Sequence, residues 1–380
     1  MFRILVLIIF VLLGYCKEKD RVLAPIGKPI SGLALFIVGD VKTKLTPVKL
    51  GENIPESDEV SVGKKSLADF QILNIAEDIV IRLKEDTKFR LQEKITQGRP
   101  SKNLYIQSGE AIFNIKKLKQ QESLIVVTPT IAIGVRGTQF GVSLDAKTGA
   151  NKLTLYEGSV SVSPSLLELE ELGEDIFQAT GISAQVEDWK KKSELVIEPG
   201  QSIEVNANIN KDFLKKLGWE EIKSKPEVKE FLSKKANSTL TEEDKNKVKL
   251  TLKSYYEDPK NKERVNSALN EKVSFSTRRV AEGELKSKLE ELKELIAIEK
   301  EKLEISTDKT IPIKERAKTI RDQLLQRIAD ITGDDIRTIK LKNGQTLRGV
   351  ISITGNQQII VSTPEEVLTI PGDQFDDYVD

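Results

Sequence analysis

The sequence predicts a multidomain α+β chain: an all-β N-terminal domain built as a sandwich or a solenoid, a charged helical segment, and a small C-terminal β-module of SH3-like form. Three observations predict it. From Ile30 to Val205 apolar and polar residues alternate with the period of half-buried strands, broken at short intervals by turn signals. From Lys211 to Gly333 the period becomes that of helices rich in lysine and glutamate. From Ile336 onward it returns to strands.

The N-terminus reads as an export segment. Arg3 precedes the unbroken apolar run Ile4 to Leu13, which is too short to span a bilayer as a helix. The run ends at "LGYC", and the next residues, "KEKDR", are all charged. This resembles a bacterial lipoprotein signal with Cys16 as the acylated residue, although Tyr15 stands where small residues are usual. The expectation is a signal peptide over 1–15, a lipidated linker over 16–29, and a membrane partner reached through an acyl anchor at Cys16.

In the β-region, "SGLALFIVGDVKTK" reads as strand, Gly-Asp turn, strand, and similar units follow. The domain is expected over 30–205, with an inserted loop over 165–192 whose "LLELEELGEDIF" has helical period. A helical domain is expected over 211–333. Asp258 before Pro259 marks one helix start, and Thr241 three residues before Asp244 marks another. Leu285, Leu289, Leu292, Ile296 and Leu303 form one stripe, and Ile313, Ala317, Ile320, Leu324, Ile328 and Ile331 form a second, with Gly333 placed to end that helix. The two stripes are spaced for an antiparallel pair. The C-terminal module, 336–380, has hairpin signals at Asn343-Gly344 and Gly355-Asn356.

Composition excludes several kinds of chemistry. The 380 residues contain no histidine and one cysteine. A Ser-His-Asp or Cys-His arrangement, an intrachain disulfide and a zinc cluster are all ruled out. Lysine plus arginine and aspartate plus glutamate are equal at 59 each, so there is no electrostatic reason to expect nucleic acid as a partner. No metal or other cofactor is expected.

Residues 128–162, "TPTIAIGVRGTQFGVSLDAKTGANKLTLYEGSVSV", hold the most distinctive pattern. "GVRGTQFG" has the wrong glycine spacing for a dinucleotide or Walker loop. "SVGK" at Ser61–Lys64 and "KTG" at Lys147–Gly149 match elements of penicillin-binding enzymes, but the S-x-N element between them is missing. Arg136, set between apolar residues, is expected to be an internal clamp that donates to carbonyls of neighbouring loops. Thr138 is expected to bond across a turn, and Phe140 to fill the core.

Thr128, Pro129, Arg136, Gly137, Thr138, Phe140, Glu157, Gly158 and Val160 resemble the FecR domain, which shows a Thr-Pro, an Arg-Gly-Thr with an aromatic two residues on, and a strand ending in Glu-Gly. With the lipoprotein-like signal, the charged helices and "LKNGQTLRGVI", the whole chain resembles FecR-domain lipoproteins of leptospiral spirochaetes. The resemblance implies a lipid-anchored protein of the cell envelope, at the outer membrane. It implies no catalytic residues, and a protein or envelope-polysaccharide partner in a scaffolding or sensing role. Two other readings stand beside it: a FecR-type signalling component without its anti-sigma segment, and a carboxylate-based envelope hydrolase.

Overall fold

A computed structural model of the chain describes residues 29–379 except 45, 75–78, 97–98, 117–123, 146, 207, 237–238, 294–312, 354–357 and 365–366. Cys16 and the Gly355-Asn356 turn lie outside the described residues. The chain is mixed α+β, with a large sheet-rich N-terminal part, helices, and a small C-terminal sheet.

The N-terminal strands are β1 (Ser31–Val38), β2 (Val41–Lys42), β3 (Asn53–Pro55), β4 (Glu59–Val62), β5 (Leu67–Leu73), β6 (Ile79–Leu83), β7 (Lys88–Thr96), β8 (Arg99–Ile115), β9 (Leu124–Val127), β10 (Ile131–Val135), β11 (Thr138–Leu144), β12 (Asn151–Glu157), β13 (Val160–Pro164), β14 (Leu195–Ile197), β15 (Gln201–Val205) and β16 (Thr277–Arg279). They form two layers. The first runs β3-β1-β5-β6-β8-β11-β12-β15-β16. The second runs β2-β4-β7-β8-β9-β10-β13-β14, antiparallel except where β8 and β9 pair in parallel.

β8 belongs to both layers. Up to Ser108 it pairs with β7, and from Gly109 it pairs with β6 and β11. The crossing needs a glycine: Gly109 has φ +87°, and a Cβ there would collide with the backbone and side chain of Thr87. Between the layers lies one apolar core. Phe70, Ile81, Phe113, Phe140 and Leu155 come from the first layer and Phe89, Leu104, Val126, Ile133 and Val162 from the second. Each such side chain contributes roughly 1.5–3 kcal/mol by leaving water. β16 was not foreseen, because its polar "TRR" sits in a region read as helical. Its backbone nevertheless extends the first layer beyond β15.

Residues 165–192 are not a loop. They form α1 (Leu167–Glu170), α2 (Glu174–Ala179) and α3 (Ser183–Lys192). These share a core with α4 (Asn208–Lys216), α5 (Trp219–Lys223), α6 (Pro226–Ala236), α7 (Glu242–Glu257) and α8 (Pro259–Asn270). The physical reason is apolar spacing: Leu166, Leu169, Leu172, Ile176, Val186 and Trp189 would be exposed in a loop, and all are buried here. Trp189 stacks on Phe213 with ring centroids 3.7 Å apart. The expected helix starts occur, with a Thr241–Asp244 capping box on α7 and an Asp258 cap followed by Pro259 on α8.

The next two helices do not pair along their stripes. α9, residues 282–293, lays Leu285, Leu289 and Leu292 on Ile112 and Tyr156 of the first β-layer. α10 (Ile313–Thr332) packs Leu324, Leu325, Ile328 and Ala329 between Phe36 and Val38 of β1 and Val350 of the C-terminal sheet. Ile331, expected on that seam, is 39% exposed. A heptad-like stripe serves a sheet as readily as a second helix, so spacing alone did not distinguish the two. Ile296 and Leu303 lie outside the described residues, and of Ile313, Ala317 and Ile320 only the helical backbone is described. Gly333, at φ +73°, ends α10 by donating to the Ala329 carbonyl. The C-terminal sheet comprises β17 (Ile336–Leu341), β18 (Thr346–Ile353), β19 (Gln358–Ser362), β20 (Val367–Pro371) and β21 (Phe375–Val379), in the order β20-β19-β18-β17-β21. Among the described residues no helix is long and apolar enough to cross a membrane.

Candidate functional site

The 128–162 stretch folds as β10 to β13, and its distinctive residues divide between two places. Thr128 and Pro129 form the corner before β10. The Thr128 hydroxyl accepts from the Ile131 amide at 3.0 Å and from Asn151 Nδ2 at 3.1 Å. Asn210 of α4 then ties the helices to this corner. Its amide nitrogen donates to the carbonyl of Thr130 at 2.7 Å and to that of Ser165 at 2.5 Å, and reaches that of Pro129 at 3.4 Å.

Arg136, Gly137, Thr138, Glu157 and Gly158 meet at the far end of the same strands. Gly137 has φ +114° and Gly158 φ +87°. A Cβ on Gly158 would lie 2.6 Å from the Gly137 carbonyl oxygen and 2.7 Å from Thr138 Cγ2, so the crossing of the two turns requires glycine. Phe140 is fully buried and stacks on Phe113 at 4.7 Å.

Arg136 is not a buried clamp. It is exposed and makes no hydrogen bond or ion pair with any described residue. The reason is register: Ile131, Ile133 and Val135 point into the core, so the next side chain at the strand end points out. Thr138 also differs from expectation, since its hydroxyl is buried without a partner among the described residues. Glu157 and Gly158 are exposed.

A second feature lies on the outward face of the second β-layer. Two rows of side chains cross it. Arg90, Tyr105, Val127, Ala132 and Ser163 are register neighbours on β7, β8, β9, β10 and β13. Gln92, Asn103, Ile125, Gly134 and Ser161 form the adjacent row. Helices α1, α2, α3 and α6 stand over these rows and leave a groove of about 680 Å³ between helix and sheet.

The groove floor is polar at the β7–β8 end. Ser101 Oγ donates to Asn103 Oδ1 at 3.1 Å, and Asn103 Nδ2 donates to the Tyr105 hydroxyl at 3.2 Å. The Arg90 guanidinium lies 5.0 Å from the centre of the Tyr105 ring. It has no hydrogen bond or ion pair to any described residue, and its Nε is buried. On the roof, Lys190 sits between Glu170 at 2.8 Å and Glu187 at 3.1 Å. Burial alone would lower the Lys190 pKa, but the two carboxylates outweigh it and hold the ammonium more firmly charged than usual. Among the described residues no group of acidic or cysteine side chains is arranged to hold a metal.

Residues 58–161 match the family model described as FecR protein. The chain carries a FecR domain. The match begins at β4 and ends in β13, and it contains Thr128, Pro129, the Arg136–Thr138 turn, Phe140, Glu157 and Gly158. No curated protein matches the chain. Two crystal structures of a protein from Parabacteroides distasonis ATCC 8503, described as a candidate anti-sigma factor, are similar to it at 18% identity and a TM-score of 0.28. The alignments cover 40% of this chain and 56% and 55% of those chains, so the chain spans little more than half the length of the structures it matches.

The groove floor belongs almost wholly to the FecR domain, whereas the roof comes from residues beyond it. Sequence reasoning singled out the FecR motif and missed the groove. Alternation in "KFRLQEK" and "SKNLYIQ" does place Arg90, Gln92, Asn103 and Tyr105 on one outward face. Nothing local shows that helices more than sixty residues away will cover it.

Proposed function

We propose that the protein is a non-enzymatic, lipid-anchored component of the cell envelope whose FecR domain recognises another envelope component in a scaffolding or sensing role. The observation that carries this reading is the groove. The chain's own helices cover one outward β-face tightly and stand off from the other, leaving a cavity of about 680 Å³ floored by the FecR domain. A cavity of that size with converging polar groups is the usual form of a binding site. We read the two-layer body as a FecR-type sandwich and the C-terminal sheet as an SH3-like module beside it.

The hydrolase reading draws less support. The four carboxylates that line the groove, Glu170, Glu171, Glu174 and Glu187, all belong to the roof, two of them hold Lys190, and the floor carries none to face them across the cleft. The signalling reading shares the FecR domain and differs in what the domain would be joined to.

Photo-cross-linking in intact cells tests the proposal, with the reactive side chain at Gln92 in the groove, or at Leu250, 69% exposed on α7, as the control. A discrete adduct from Gln92 and none from Leu250 is expected. Equal adducts, or none, would remove the groove from the function. The anchor has its own test: Cys16→Ala should move the protein from the membrane fraction to the soluble one. If the variant stays with the membrane and the parent takes up no labelled fatty acid, Cys16 is not the anchor.

A further inference from the structure

We infer that the groove is a site for a carboxylate-bearing oligosaccharide, such as a uronic-acid chain, with Arg90 as the carboxylate anchor. This rests on the binding reading above and names the ligand's chemical class.

The argument begins with Arg90. A guanidinium presents five donors in a planar fork that fits a carboxylate with two parallel bonds. Here the fork faces a cavity, its Nε is out of water, and no described residue accepts from it. A charged donor withdrawn from water without an acceptor is unfavourable unless something supplies one. Its contact on the floor is with the Tyr105 ring, whose hydroxyl is in turn held by Asn103.

The rest of the floor selects the ligand's other groups. Gln92, Ser101, Asn103 and Ser163 are uncharged, and each both donates and accepts, which is what sugar hydroxyls require. Gln92 stands on β7 and Ser101 and Asn103 on the neighbouring β8, about 4.8 Å away, whereas Ser163 stands on β13, three strands beyond β8, so the polar groups are spread along the groove. Val127 and Ala132 continue the Arg90 row as a low apolar strip on which the carbon face of a ring can lie. A long peptide fits less well: the floor is interior to the layer, and its backbone groups are already paired with neighbouring strands on both sides. The roof carries Glu170, Glu171, Glu174 and Glu187 against Lys190 and Lys235, so the anion is held at the Arg90 end of the floor, where only uncharged polar groups and the Tyr105 ring surround it.

The test is titration calorimetry of the full chain with oligomers of galacturonate, glucuronate and mannuronate, with their carboxyl-reduced counterparts, and with poly-glutamate as an anionic peptide. At least one oligouronide should bind, and its reduced form should bind about tenfold more weakly. Arg90→Gln should erase that difference while leaving the melting temperature near the parent's. Gln92→Ala should weaken the acidic and the reduced sugar alike. Failure of every oligouronide to bind would overturn the inference. Equal binding of acidic and reduced sugars, an Arg90→Gln variant that still discriminates, or tighter binding of poly-glutamate would also overturn it. A groove that cross-links in cells to a polypeptide would leave the proposed function standing and defeat only the choice of ligand.

Discussion

The two outward faces of the β-body start from the same plan and end differently. On the first layer the row Phe36, Asp69, Arg82, Ile112, Gly141 crosses β1, β5, β6, β8 and β11. On the second the row Gln92, Asn103, Ile125, Gly134, Ser161 crosses β7, β8, β9, β10 and β13. Both mix polar and apolar side chains. The first is sealed. α10 packs on Phe36, α9 packs on Ile112, and the polar residues between them pair with each other, Arg82 Nε to Asp69 Oδ1 at 2.9 Å with both side chains 3% exposed. At the rim Lys84 and Lys288 bridge Glu110 and Glu291. The second face keeps its helices at a distance and leaves Arg90 without a counter-charge among the described residues. A sheet face closes when its charges are matched from within; where one is left unmatched, space for a ligand remains.

The largest expected effect comes from unbalancing the sealed face. Removing one member of a buried ion pair leaves the other charged and out of water, at about 3–5 kcal/mol. Asp69→Ala should therefore lower the melting temperature strongly. The corresponding change in the groove, Gln92→Ala, removes a half-buried side chain from a wet cavity and should stay within about 0.5 kcal/mol. Denaturant titration of both variants decides it. Comparable losses would mean that the faces are equally solvated and the contrast is false.

A smaller effect should follow acidification. Burial alone would raise the Glu110 pKa, but bonds and charge from Lys288 and Lys84 outweigh it and bring it below the usual value of 4.5. A carboxylate with a lowered folded pKa stabilises the fold above its unfolded pKa, and that contribution is lost as the pH falls through the folded value. α9 should thus loosen from the sheet as the pH falls below about 4.5. Protection factors over residues 282–293, which divide out the intrinsic pH dependence of exchange, should fall on acidification in the parent, and Glu110→Gln should flatten that dependence. A parent profile that matches the variant's would exclude Glu110 as the group that titrates.

Much of this architecture was legible in the sequence, for reasons that particular residues make plain. Alternation located the strands of the N-terminal body because one core takes alternate residues from both layers, and the caps at Thr241 and Asp258 located α7 and α8 because their chemistry is local. What failed was everything set by distant parts of the chain. Asp69 and Arg82, which the sequence did not single out, are polar side chains on the outward row and are nevertheless buried, because α9 and α10 arrive from some two hundred residues later. The stripes of those helices read as a pair because an apolar seam does not record what it faces. Residues 165–192 read as an insert, although their leucines share a core with α4 to α8.

Arg136 gives the smallest expected effect and the sharpest check on the comparison, because it too is an arginine without a partner among the described residues. It differs from Arg90 in its surroundings. Arg136 is exposed at a strand end, where water satisfies the guanidinium, whereas Arg90 is half-buried in a cavity over an aromatic ring. Arg136→Ala should therefore change stability by no more than about 0.5 kcal/mol. Gly158→Ala, beneath it, should cost clearly more, because the new methyl group has φ +87° to contend with and the Gly137 carbonyl only 2.6 Å away. If Arg136→Ala instead proves as costly as the glycine change, the arginine is clamping the turn after all. A partnerless guanidinium would then not mark a binding site, and the case for Arg90 as an anchor would weaken with it. If Arg136→Ala is silent in stability, unpaired arginine on this fold is tolerated only where water or a ligand reaches it, and of the two positions only the one at Arg90 is enclosed.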